Sequence, residues 1–140
     1  MSQEAIYRID GRRALTSPSA AGPWDGAMQH GAAPAALAAW AIESIETRQP
    51  MQLARLTVDL LRPVPVAPLS IETEILREGR KIQLSAVRLM AADAEVVRAT
   101  ALRVRIDHSL APQCVGEVPL DRPGPEEAAA PTEIGDLSCP

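Results

Sequence analysis

The sequence predicts an α+β domain in which an antiparallel sheet wraps around one central helix. Two stretches carry that prediction. Residues 31–48, GAAPAALAAWAIESIETR, are apolar on nearly every helical face until the last turn; after Pro50 the apolar period changes to two. A helix that is apolar all round must be surrounded, and one helix can cover a long sheet only if the sheet curls about it. Composition agrees. Tyr7, Trp24 and Trp40 are the only aromatic residues, so the core is aliphatic and rich in Ala, and such elements reach interior packing density only by close approach.

Taken in order, residues 5–9 and 13–16 alternate and are joined by Asp10-Gly11, the pattern of a tight hairpin with Gly in a left-handed turn. Residues 17–26 contain two prolines and two glycines and read as a loop. The helix is expected over 31–48, because Pro34 is tolerated only in a first turn. Its core stripe is read as Ala33, Leu37, Trp40, Ala41, Ser44 and Ile45. Strands are expected at 52–61, 69–77, 81–90 and 95–106, as a meander of antiparallel neighbours. Pro63, Pro65 and Pro68 keep the stretch between the first two of these out of any central ladder. On the last strand Val96, Thr100, Leu102, Val104 and Ile106 are assigned to one face. Val97, Ala99 and Ala101 fall on the other, which Arg98, Arg103 and Arg105 keep partly wet.

One domain is expected over residues 1–106. Residues 107–140 read as a Pro-rich tail or linker, expected to be poorly ordered. The formal charge of −4 argues against nucleic acid as a partner, which would require a basic face. Cys114 and Cys139 both lie in the tail and suggest neither a disulfide framework nor a metal site. The N-terminus has no apolar signal region, and the longest uncharged apolar run, residues 32–42, is too short to span a bilayer. A soluble cytoplasmic protein without metal, cofactor or membrane partner is expected.

The loop-to-helix string GPWDGAMQHGAAPAALA, the run ARLTVDLLRPVPVAPLSIETEILREGRKIQLSAVRL and the closing VVRATALRVR resemble the N-terminal half of the acyl-CoA thioesterase II-like (TesB-like) family over residues 5–106. The most specific parts are Gln29-His30-Gly31 at the helix start, Asp59 to Pro63, and Arg77 to Lys81. The resemblance implies a hotdog fold, a coenzyme A thioester as substrate, and sites formed between two hotdogs side by side. The second hotdog would come from another copy, in a homodimer or higher oligomer, or from a following domain to which the tail is the linker.

Thioester hydrolysis needs a group that polarises the carbonyl and one that orients or deprotonates water. Backbone N–H groups of Gly31 and Ala32 at the helix start are candidates for the first task. His30, Gln29 and Asp25 are the catalytic candidates: His30 as a donor to the thioester oxygen, Gln29 as an orienter of water, Asp25 as a base. Each has an ordinary structural reading too, Asp25 as a turn residue bonding its own backbone. Trp24, Met28, Leu37 and Trp40 are candidates for an acyl pocket, and Arg77, Arg80 and Lys81 for the coenzyme A phosphates.

Two other readings stand beside hydrolysis. Single-hotdog thioesterases of the phenylacetate-pathway type carry a carboxylate further along the helix, where this chain has Ala38 and Ala39. That favours a non-catalytic hotdog that completes a partner's site. The short Asp25-to-His30 spacing also fits an enoyl-CoA hydratase, although the surrounding Asn-Pro-Leu context of those enzymes is missing.

Overall fold

The computed structural model describes residues 5–107. The tail assigned to 107–140, with both cysteines, lies outside the described residues apart from Asp107. Strands β1 (Tyr7–Asp10) and β2 (Arg13–Thr16) form the expected hairpin, with Gly11 at φ 57° taking the left-handed turn position. A 3₁₀ turn at Pro18–Ala20 leads through the loop to α1 (Ala32–Glu43). Four long strands follow: β3 (Met51–Leu60), β4 (Leu69–Glu78), β5 (Ile82–Ala91) and β6 (Ala94–Arg105). All pair antiparallel in the order β1-β2-β4-β5-β6-β3, and α1 lies chiefly across β5.

Close approach is possible because both surfaces are small. Ala38 and Ala41 of α1 and Ala99 and Ala101 of β6 are all buried, together with Leu37, Ile42, Val87 and Leu89. A core so lined brings the helix axis nearer the sheet than Leu or Phe would allow, which recovers interior packing density without aromatic bulk.

Four expectations need correction. Strands β3 to β6 are not a simple meander, because β3 pairs with β6 at the far edge and not with β4. The Pro-rich stretch between β3 and β4 crosses over the start of α1, where Val64 accepts from the Gln29 N–H at 2.7 Å and the Val66 N–H donates to Ala27 at 2.8 Å. The prolines that bar this stretch from a central ladder suit it to such a crossing.

The helix, expected to reach Arg48, stops at Glu43. Ser44 Oγ donates to the Trp40 carbonyl at 2.8 Å, and the Arg103 guanidinium donates to the carbonyls of Ile42 at 2.8 Å and Ile45 at 2.9 Å. Those carbonyls therefore need no further helical N–H.

The core stripe of α1 runs through Ala33, Pro34, Leu37, Ala38, Ala41 and Ile42. Trp40 is 43% exposed and Ser44 is also exposed, so the helix is covered on the sheet side and open on one flank among the described residues.

The deeply buried face of β6 is the one read as partly wet. Val97, Ala99, Ala101 and Arg103 all point at the helix side, and Arg103 is only 4% exposed. Arg98 belongs to the opposite, convex face, where it bonds Glu95 at 2.8 Å and stands in register with Asp59. The hydrogen bond and charge of Arg98 hold the Glu95 carboxyl below its ordinary range.

Candidate functional site

The open flank of α1 faces β1 across a cavity of about 520 Å³. Ile6, Tyr7 and Ile9 form one wall, and Ala32, Ala36 and Trp40 form a row along the other. Among the described residues no carboxylate or ammonium lines it; His30, Ser19 and Tyr7 are its polar residues. An apolar cavity with few polar groups at the end of a helix suits a ligand with an apolar body and a polar head.

His30 stands at the helix start and is exposed into this cavity. Its N–H donates to the Ala20 carbonyl at 2.9 Å and its carbonyl accepts from Ala33 at 2.9 Å, so the backbone is held from both sides. Nδ1 of the ring accepts from the Ala32 N–H at 3.2 Å. An accepting Nδ1 requires the neutral ring to carry its proton on Nε2. His30 thus caps the helix with one nitrogen and keeps a donor on the other.

Of the two amides expected to serve a developing oxyanion, Ala32 is taken by His30. The Gly31 N–H donates to nothing among the described residues. Gly31 also admits a close neighbour: a Cβ there would stand 3.1 Å from Leu60 Cδ1 at the end of β3.

The remaining candidates are dispersed. Gln29 is buried; its Oε1 accepts from the Tyr7 hydroxyl, and its Nε2 donates to the Pro65 carbonyl at 2.7 Å. It ties β1 and the crossover to the loop before α1, and both ends of the amide are used in doing so. Asp25 is exposed and its Oδ1 accepts from the Ala27 N–H at 2.8 Å, closing a local turn away from the cavity. Trp24 is 80% exposed and Met28 bridges to Pro65; neither lines the cavity, whereas Leu37 and Trp40 do.

Arg77, Arg80 and Lys81 sit at the β4–β5 turn, at the end of the sheet opposite His30. Strand rise puts them roughly 25 Å from it within one chain. Arg80 shares a separate cavity of about 240 Å³ with Arg48 and Gln49.

Tyr7 and Ile9 were not foreseen as site residues. Their signal was the alternation of residues 5–9, which puts them on one strand face. Burial pushes the Tyr7 hydroxyl's pKa up.

Among the described residues no helix is long and apolar enough to cross a membrane, and no cluster of three or more His, Cys, Asp or Glu could hold a metal ion.

Residues 20–104 match the family model of the acyl-CoA thioesterase N-terminal domain. No curated protein matches the chain. Among solved structures, a conserved protein of unknown function with a hot dog fold from Alicyclobacillus acidocaldarius is 24% identical at TM-score 0.62. The match covers 90% of this chain and 47% of that one, so this chain spans about half its length. The Escherichia coli PaaI protein from the phenylacetic acid degradation operon is 15% identical at TM-score 0.60, covering 68% of this chain and 70% of that one. A Bacillus halodurans protein determined with CoA is 17% identical at TM-score 0.56, covering 66% and 68% respectively. These likenesses establish the hotdog fold.

Proposed function

The chain belongs to the acyl-CoA thioesterase N-terminal domain family, and we propose that it binds fatty-acyl-CoA thioesters for hydrolysis, with the acyl chain in the cavity beside α1. The observation that carries this reading is the apolar cavity that ends at His30 and at the start of a helix buried on its sheet side. The thioester oxygen would meet the His30 Nε2–H and the Gly31 N–H at the positive end of the helix dipole, which favours developing negative charge.

A second hotdog is part of the proposal. Among the described residues β3 is a sheet edge of ten residues without proline, and a long unpaired edge is a template for another strand. An antiparallel partner on β3 of the same kind would set its Met51 end against Leu60 here. The partner's turn corresponding to Arg77, Arg80 and Lys81 would then approach His30, within reach of the coenzyme A phosphates. A homodimer supplies such a partner, as does a further domain.

A specific observation favours the alternative of a non-catalytic half: among the described residues no Asp or Glu lines the cavity to serve as a base. The hydratase reading has less support, because the Asp25 side chain is turned into its own loop.

Thiol release from a panel of saturated acyl-CoAs tests the proposal. The expected result is release that falls more than tenfold in His30→Ala while the circular dichroism spectrum is kept. Tight binding without release at any protein concentration points to the non-catalytic half, and loss of enoyl absorbance without thiol points to hydration.

A further inference from the structure

Ala32, Ala36 and Trp40 follow one another at intervals of four residues, which stacks them in a single row along the open flank of α1. The first two leave space; the third fills it. The same indole also lines a second cavity of about 130 Å³, bordered by Gly11, Arg12, Ile71 and Thr73. Trp40 is therefore the partition between two hollows on one side of the helix. The larger has His30 at one end and this wall at the other.

We infer that Trp40 gauges the length of the acyl chain, so that the cavity accepts saturated chains up to about ten carbons and excludes longer ones. The inference rests on the acyl-CoA reading above and adds to it a length and the residue that sets it. From Ala32 to Trp40 the helix rises about 12 Å at roughly 1.5 Å per residue. An extended chain, whose C–C bonds of about 1.5 Å each advance it by somewhat less than their length, covers that distance in about ten carbons. The walls suit an alkyl chain, since Ile6, Ile9 and the Ala row offer it carbon and no charge. The Tyr7 hydroxyl is already committed to Gln29. Removing the indole would join the two hollows and let the chain run on toward Thr73.

Two measurements on the parent chain, Trp40→Ala and Ala36→Leu test this: calorimetric binding of free saturated fatty acids from hexanoic to hexadecanoic, and thiol release from the matching CoA esters. In the parent, affinity rises by about fourfold per methylene and stops rising near decanoic acid. Trp40→Ala moves that break several carbons longer and raises the hexadecanoyl-to-decanoyl ratio of kcat/KM more than tenfold. Ala36→Leu, at an exposed position, moves the break shorter. Fatty-acid binding with the expected breaks but no thiol release from any ester upholds the length gauge and overturns hydrolysis. No fatty-acid binding, no break in the parent, or a break that neither variant moves overturns the gauge, whether or not thiol is released.

Discussion

The two ends of α1 are finished in opposite ways. At the C-terminal end a buried guanidinium, Arg103, is drawn under the sheet to bond the carbonyls of Ile42 and Ile45, with Gln83 Oε1 at 3.3 Å. A cation is favoured there by the helix dipole, and Ser85 and Gln83 supply a polar lining in an otherwise apolar core. Its Nε and the Gln83 Nε2 make no hydrogen bond among the described residues. At the N-terminal end no buried side chain closes the helix. An exposed His caps one amide, a Gly leaves another bare among the described residues, and a cavity lies alongside. The closed end fixes the helix against the sheet, and the open end is where the proposed ligand would bind.

The largest effect should come from breaking the closed end. Arg103→Met leaves two carbonyls without their charged donor and is expected to cost about 2–4 kcal/mol, read as a lower urea midpoint at unchanged slope. An unchanged midpoint would mean that the guanidinium does not secure the helix.

Tyr7→Phe probes the open end more gently. It strips Gln29 Oε1 of its donor, at a cost of about 1 kcal/mol. It should also change the alkaline limb of stability. Burial raises the folded-state pKa of Tyr7 above its ordinary 10.0. Its neutral form therefore contributes fully below that pH, and the contribution is lost as pH rises from there toward the folded value. The parent should lose stability above about pH 10 more steeply than Tyr7→Phe. Parallel alkaline profiles for the two would show that the hydroxyl is not sheltered.

The smallest effect concerns the turn between β5 and β6, at the same end of the sheet as His30. Ala92 has φ 50°, a left-handed conformation that costs a residue with a Cβ about 1 kcal/mol. Ala92→Gly should raise stability by about 0.5–1 kcal/mol, seen as a higher thermal midpoint. A fall would show that the turn is not strained.

Much of the fold was legible because local periodicity reports which side of an element is dry. The apolar run from Ala32, the first-turn Pro34 and the period-two strands point to a helix inside a curled sheet. Partner choice between strands was not legible. Alternation in β3 is satisfied equally beside β4 or β6, and only the crossover over the helix start separates the two. Arg103 shows the same limit. Its place in the period-two row after Val97, Ala99 and Ala101 marks it for the inner face, but its charge argues for water until two helix carbonyls are known to wait there.

By itself the chain determined that its helix would pack into the sheet, that Gly31 would begin it, and that His30 would stand at its head, since these follow from neighbours in sequence. Tertiary structure alone decided which side chains share the cavity. It set Ile6 and Ile9 opposite Ala36, turned Trp40 outward and Ala38 inward, and committed Gln29 to Tyr7. Such pairings depend on contacts between segments far apart in the chain, whose geometry the packing of the whole domain sets.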